Sequence, residues 1–254
     1  MWQITAKEAS VLMISKLVSL QFDYATKSFE ENFETLRRLV TSCEKNSLIL
    51  APELCLSAYS YENLEESAEF SQKILPRLRE LSRDKSLCLT LTQKIDGKFY
   101  NNAKIFCDTK EVYSQAKVKL FALGGEPNYF QSGSTKDIEV VDIHGVKLSI
   151  LICFELRFIE LWEKLRGSDI ILIPSYWGKP RKSHLRALST ALAIANQCFV
   201  VVSNSADEDM ASGSCVIDPF GEVVEGDDLR LISAKYEGRL IKKMRRYMDI
   251  GLIR

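Results

Sequence analysis

Three residues of this chain stand where side chains can do chemistry. Cys153 closes the apolar run "VKLSILIC" and is followed by "FELRFIELWEKLRG", in which Phe158, Leu161, Trp162 and Leu165 recur at helical spacing. A thiol at a strand, turn, helix junction meets free backbone N–H groups and the positive end of a helix dipole, which lower its pKa and make it a nucleophile. The competing reading is a buried core thiol, the commonest fate of a free cysteine. A cysteine nucleophile needs a base, and histidine, the usual one, occurs only at positions 144 and 184. His144 falls in an "IHG" turn and reads as exposed. His184 opens a helix after "GKPRKS" and reads as a substrate contact or a surface cap, so a carboxylate or a lysine has to be considered.

Glu53 is the best carboxylate. It directly follows the buried strand "SLILAP", at the carboxyl end of a strand, where α/β folds bind ligands. Its competing role is to satisfy free amides at a helix start after Pro52. Lys117 and Lys119 alternate along "YSQAKVKLF" and share one face of a strand, which in isolation describes an exposed edge. The following "ALGGEPNYFQSG" reads as a loop that carries Glu126 to the same end of the sheet.

These residues need a scaffold that gathers strand ends. Apolar runs of strand length recur near 10–20 and at 47–52, 87–93, 146–153, 169–175 and 198–204. Helical patterns lie between them: Phe29, Phe33, Leu36, Val40 and Cys43; Ile74, Leu78 and Leu81; Leu185, Leu188 and Leu192. Their alternation predicts α/β layering, with helices covering sheets. The segments "KIDGKFYNNAKIFCDTKEVYSQAKVK" and "IEVVDIHGVKLSILI" carry Asp-Gly and His-Gly turns, so antiparallel hairpins are mixed in and a layered sandwich fits better than an open parallel sheet. Six prolines in 254 residues, no repeat and no linker leave a single domain over 1–254 as the simplest organisation.

Thirty-four basic and 34 acidic side chains cancel, so no global field recruits nucleic acid or an anionic membrane. The basic stretch at 239–254, "RLIKKMRRYMDIGLIR", reads as a solvated helix face or a subunit contact. Seven cysteines, scattered without a Cys-x-x-Cys pair or a nearby His cluster, argue against a disulfide framework or a zinc site. No apolar run approaches the roughly 20 residues of a membrane span. Lys16 also interrupts the only candidate signal-peptide core, so a reducing, cytoplasmic setting is expected.

Taken in order, "APELCLSAY", "NNAKIF…AKVKLF…GEPNYFQSG" and "LICFELRFIEL", with "SDIILIPSYWGKPRKSHLRALSTALAIANQCFVVVSNSA" and "SGSCVIDPFGEVV" after them, resemble the nitrilase, or carbon-nitrogen hydrolase, superfamily over nearly the whole chain. The resemblance implies an α/β fold, a four-layer α-β-β-α sandwich with mixed sheets, and a homodimer in which the segment from about 236 to 254 reaches the partner. It implies Cys153 as nucleophile, Glu53 as general base, Lys117 as the cation beside the tetrahedral intermediate, and Glu126 as a second, positioning glutamate. The backbone N–H of Phe154 completes the oxyanion site. No metal or organic cofactor is implied.

Departures from the common pattern include Ala58 where Gly usually precedes the Tyr, Ala116 where Arg often precedes the Lys, and Phe154 where Tyr often follows the nucleophile. Thr190, Leu192 and Ala195 replace Arg, Arg and Glu, which predicts a helix repacked with apolar groups. The loops most resemble the omega-amidase branch, implying hydrolysis of a small linear amide, a dicarboxylic acid monoamide, through a Cys153 thioester with release of ammonia. Tyr176, Trp177, Arg181 and Arg157 are the candidate substrate contacts, with Lys179 a further cation for a substrate carboxylate. Alternatives are an N-carbamyl amide hydrolase, a nitrilase, a catalytically silent scaffolding member, and a thiol redox protein, which lacks a second cysteine near 153.

Overall fold

Nearly continuous apolar strands are stable only when both of their faces are covered, and this requirement sets the layers. In the computed structural model, which describes residues 13–252, β1 (Lys16–Leu20), β2 (Ser47–Leu50), β3 (Ser86–Ile95), β4 (Lys98–Cys107) and β5 (Lys110–Ala116) build a first sheet. A second contains β6 (Val141–Ile143), β7 (Val146–Ile150), β8 (Ile170–Pro174), β9 (Phe199–Ser203), β10 (Cys215–Ile217) and β11 (Val223–Glu225). The chain then returns through β12 (Leu231–Lys235), giving the orders β12-β1-β2-β3-β4-β5 and β11-β10-β9-β8-β7-β6. The central strands β1-β2-β3 and β7-β8-β9 run parallel, and antiparallel strands flank them. Five α-helices lie among the described residues: α1 (Phe29–Ser42), α2 (Leu64–Leu81), α3 (Ile159–Lys164), α4 (Lys182–Asn196) and α5 (Gly238–Tyr247).

Alternation along each strand divides the core. Leu17, Leu48, Leu50 and Cys88 pack toward the second sheet, with Leu148, Ile150 and Ile171 in the same cluster. Their neighbours Val18, Ile49, Leu87 and Leu89 pack under Phe33, Leu36, Ile74 and Leu78 of α1 and α2. The result is the expected α-β-β-α sandwich of mixed sheets. Cross-sheet hydrogen bonds pin the layers in register, with Ser19 Oγ donating to Val202 O and Ser203 Oγ to Leu20 O, both at 2.5 Å.

Both expected hairpins form, on paired left-handed residues: Asp96 (φ 48°) with Gly97 (76°), and His144 (55°) with Gly145 (78°). A third two-residue turn, Asp108 (50°) and Thr109 (63°), joins β4 to β5 inside what the sequence presents as one hairpin segment. The strand expected near 10–20 starts at Lys16; positions 10–12 lie outside the described residues. The basic C-terminal segment folds onto its own chain. Ile241 and Met244 are buried, Arg245 Nη2 donates to Ser168 O at 2.7 Å, and Arg166 Nη2 to Ile250 O at 2.7 Å. Its last two residues lie outside the described range. No helix among the described residues is long and apolar enough to cross a membrane.

The apolar repacking expected of α4 holds at Leu192 alone, which is fully buried; Thr190 is half-buried and Ala195 faces solvent. A guanidinium at 192 would enter this core without an opposite charge. Leu192→Arg is therefore expected to lower unfolding free energy by about 3–5 kcal/mol. Urea denaturation checks this, and an unchanged midpoint would show that α4 can turn the charge outward.

Candidate active site

The two parallel triplets end side by side, and the candidate side chains lie beyond those ends. Glu53 sits in a run of turns after β2, with its amide donating to Ser175 O, just past β8, at 3.2 Å. No helix starts there, so the helix-capping alternative for Glu53 does not hold. Tyr24 Oη donates to Glu53 O at 2.7 Å and Thr90 Oγ1 accepts from Leu54 N at 2.6 Å, fixing the turn on both sides. Lys117 follows β5 immediately; its amide donates to Asn101 O and its carbonyl accepts from Gly133 N, both at 2.8 Å. The loop containing Gly133 lies so close that an added Cβ would stand 2.6 Å from Ala116 O.

Contrary to the exposed-edge reading, the Lys117 side chain is completely buried. Only Lys119 is partly exposed, over the Phe158 ring and 3.1 Å from Glu160. Lys117 Nζ is 2.8 Å from Glu53 Oε1 and 2.8 Å from Glu126 Oε1, and both carboxylates are buried. Its remaining proton faces Tyr59 Oη at 3.4 Å. Burial alone would lower the Lys117 pKa, but the charge of Glu53, with Cys153 and Glu126, holds the ammonium well above its usual range.

The two glutamates differ in what remains free. Glu126 Oε1 also accepts from Tyr59 Oη at 3.0 Å and its Oε2 from Phe121 N at 2.5 Å, so both oxygens are occupied. Glu53 Oε1 accepts from Lys117 and from Asn101 Nδ2 at 2.8 Å, whereas Glu53 Oε2 is buried without a protein partner among the described residues. A buried, unpaired carboxylate oxygen is costly unless something must reach it.

Cys153 begins a short 3-10 turn, Cys153–Arg157, rather than an α-helix; α3 starts only at Ile159. Its backbone is left-handed, φ 52°, a conformation that strains a side-chain-bearing residue. The expected lowering of the thiol pKa is reversed. Burial pushes it well above the usual thiol value, the charge of Glu53 pushes it further, and Lys117 only partly offsets them. Cys153 is thus a neutral thiol in a buried, anionic neighbourhood. The opening amides of its turn, Phe154 N–H among them, have no acceptor within the turn itself.

The sequence reading passed over Glu155 and Asn101. Glu155, fully buried, accepts from Ile152 N at 2.7 Å, Val118 N at 2.6 Å and Lys119 N at 3.4 Å. It thereby ties the backbone around Cys153 to the backbone after Lys117. Its signal was a glutamate between two apolar positions, which reads equally well as a first-turn helix residue. Asn101 was legible only as a polar pair, Asn101–Asn102, inside a buried strand.

Phe121, Phe154, Arg157, Tyr176, Trp177 and Arg181 line a cavity with Cys153, of about 20 Å³, room for about one water. All four candidate substrate contacts are therefore gathered there. Phe154 lies between Phe121, tilted with ring centroids 5.1 Å apart, and Phe158, edge-to-face at 5.2 Å. Arg157 lies over the Trp177 ring at 4.5 Å with Nη2 3.2 Å from His184 Nδ1, and Arg181 over Phe121 at 5.4 Å. Neither guanidinium has a carboxylate partner among the described residues. Lys179 instead lines a separate hollow of about 660 Å³ with Lys182 and Arg186, and another of about 600 Å³ lies beside Glu65 and Lys104. Both are larger, but neither contains a thiol or touches the Glu53–Lys117–Glu126 cluster.

Comparison with known proteins agrees with this geometry. The carbon-nitrogen hydrolase family profile matches residues 16–230. A 2-oxoglutaramate amidase of Bacillus subtilis is 30% identical over 217 residues, covering 81% of this chain and 83% of its own. A second 2-oxoglutaramate amidase, from Paenarthrobacter nicotinovorans, is 26% identical over 83% and 78%. In fold, the chain is similar to a Xanthomonas campestris CN-hydrolase superfamily protein, with TM-score 0.83, 18% identity and coverage of 92% and 94%.

Two outcomes follow from the local backbone and electrostatics. Ala58 is left-handed, φ 51°, so Ala58→Gly should raise unfolding free energy by about 0.5–1 kcal/mol, the relief of strain less the added chain entropy; a loss of stability in urea would contradict this. Burial raises the Glu155 carboxyl to about 7, even though its N–H partners and the Lys117 charge act the other way. The unfolded chain releases that proton near pH 4.5 and the folded one near 7, so Glu155 should cost about 3 kcal/mol of stability as pH rises through this window, then no more. Comparing the pH dependence of unfolding with that of Glu155→Gln tests it, since equal slopes would exclude the assignment.

Proposed function

The chain belongs to the carbon-nitrogen hydrolase family and is a hydrolase of carbon-nitrogen bonds other than peptide bonds; on that premise we propose that it cleaves small linear amides carrying a carboxylate, through a Cys153 acyl-enzyme. The observation that carries this reading is the carboxylate oxygen of the buried cluster that is unpaired among the described residues, Glu53 Oε2, next to a thiol whose pKa is raised.

As Cys153 Sγ attacks the amide carbonyl carbon, its proton passes to Glu53. The carbonyl π electrons move onto oxygen, and the oxyanion is stabilised by the Lys117 ammonium and the Phe154 N–H. Each such preorganised donor is worth about 3–4 kcal/mol of barrier. Collapse breaks the C–N bond, and Glu53 returns its proton to the leaving nitrogen, which departs as ammonia. Water then attacks the thioester while Glu53 takes its proton; the C–S bond breaks, the acid leaves and the proton returns to Cys153. Glu126, with both oxygens occupied, holds Lys117 in place rather than moving protons.

Substrate choice rests on the cavity wall. Arg157 and Arg181 are guanidiniums without carboxylate partners on the path to the thiol, and a substrate carboxylate supplies what they lack. The 2-oxoglutaramate amidase relatives support a dicarboxylic acid monoamide in particular. Since the cavity has room for only about one water, entry requires a swing of one of these side chains off its aromatic ring.

The test is ammonia release from a panel of dicarboxylic monoamides and neutral amides of equal length. Arg157→Gln or Arg181→Gln should lower kcat/KM for the acidic amides by about 10–100-fold, the worth of one charge-assisted hydrogen bond, and leave the neutral amides little changed. Cys153→Ala should abolish turnover and the acyl adduct seen by mass spectrometry. Equal use of both amide classes by the wild type would reject the carboxylate-recognising site, and turnover by Cys153→Ala would reject the mechanism.

A further inference from the structure

The β4–β5 and β6–β7 turns belong to different sheets, yet their tips touch. They lie at the end of the sandwich opposite Glu53 and Cys153: Cys107 pairs with Ser86 at the start of β3, and His144 immediately precedes β7, whose far end leads to the thiol. Here Cys107 Sγ is 3.3 Å from His144 Nε2, and Asp108 Oδ2 is 3.0 Å from the same nitrogen. The three ligand atoms all lie within 4.8 Å of one another. Tetrahedral zinc, with bonds of about 2.0–2.3 Å, places such atoms roughly 3.3–3.6 Å apart. Both separations from Nε2 are therefore within a few tenths of an ångström of a metal-binding arrangement, and the thiol and carboxylate lie no more than 4.8 Å apart.

Protein hydrogen bonding accounts for only part of it. Nε2 carries at most one proton, so it cannot donate to both the thiol and the carboxylate. Turn chemistry favours Asp108 and accommodates, without requiring, His144. Both turns have two consecutive left-handed residues, where Asn, Asp and Gly are favoured, and the first position of the second turn holds a histidine before Gly145. Cys107 is 1% exposed, and Ser86 Oγ donates to its sulfur at 3.3 Å, the kind of outer hydrogen bond that supports a metal-bound thiolate.

We propose that Cys107, Asp108 and His144 form a Zn²⁺ site that staples the two sheets together at the end remote from the nucleophile. Binding releases the Cys107 thiol proton to solvent and places the neutral imidazole proton on Nδ1, with thiolate, Nε2 and carboxylate as ligands and water as the fourth. Three ligands of mixed softness suit zinc rather than magnesium or calcium, which prefer oxygen alone. The expectation of no zinc site arose because Cys107 and His144 are 37 residues apart, far beyond any local spacing rule.

The test uses full-length Cys153→Ala protein, so that the active-site thiol cannot compete for metal. After chelator treatment it is titrated with Zn²⁺, and with Co²⁺ as a spectroscopic probe. One equivalent should bind, with a rise in thermal midpoint and a thiolate-to-cobalt charge-transfer band. His144→Asn in the same background places Asn-Gly, a favoured turn pair, at the tip and should fold as well without metal. It should bind zinc at least about 100-fold more weakly, since even groups behind the ligands are worth about 10–100-fold. No uptake by the Cys153→Ala protein, or equal affinity in the His144→Asn variant, would overturn the site.

Discussion

One ammonium held between two buried carboxylates organises this molecule. Lys117 lies 2.8 Å from both Glu53 and Glu126, and such a group is stable out of water only while all three members are present. Removing the lysine would leave two like charges facing each other; removing either acid would leave the remaining hydrogen-bond partners misaligned. The ends of β2 and β5, the β4 backbone at Asn101 and the loop around Glu126 must therefore converge, and the sandwich is the frame that brings them together. The cluster carries one net negative charge, which adds to the effect of burial on the thiol beside it. An added thiolate would be repelled by Glu53 more than it is attracted by a lysine already shared by two acids.

The strain at Cys153 belongs to the same design. A left-handed residue at the start of a 3-10 turn is costly, and Glu155 holds it by accepting hydrogen bonds from both the turn and the segment after Lys117. One buried carboxylate thus couples the backbone before Cys153 to the backbone after Lys117. The other wall of the site, Tyr176 and Trp177, is set by Asn204, which accepts from Trp177 N at 2.7 Å and donates to Trp177 O at 3.1 Å.

The fold and the principal side chains were legible in the sequence for physical reasons. Strands apolar on both faces demand covering layers, and Glu53 and Cys153 are polar groups at abrupt ends of such strands. Lys117 was legible only through its resemblance to family segments, because alternation along "YSQAKVKLF" cannot tell an exposed edge from a buried ion cluster; the acids that distinguish them are 64 and 9 residues away. The thiol pKa lies opposite to the expected direction chiefly because Cys153 is buried, and further because the charge of Glu53 is invisible from position 153 and a 3-10 turn stands where a helix was expected. Asn101, whose side chain donates to Glu53, and Glu155, whose carboxylate gathers amides from two segments, act through long-range contacts that spacing does not encode. The Cys107–His144 contact joins two sheets and is equally non-local.

The central claim is that burial and the Glu53 charge outweigh a Lys117 already shared by two acids, so Cys153 rests as a thiol and surrenders its proton to Glu53 only during attack. The direct measurement is the ultraviolet thiolate absorbance of the wild type minus that of Cys153→Ala as pH is raised. The expected result is no thiolate signal from Cys153 at neutral pH and ionisation only above the ordinary thiol range. A thiolate already present at neutral pH would contradict the account, making Cys153 part of a preformed ion pair with Lys117.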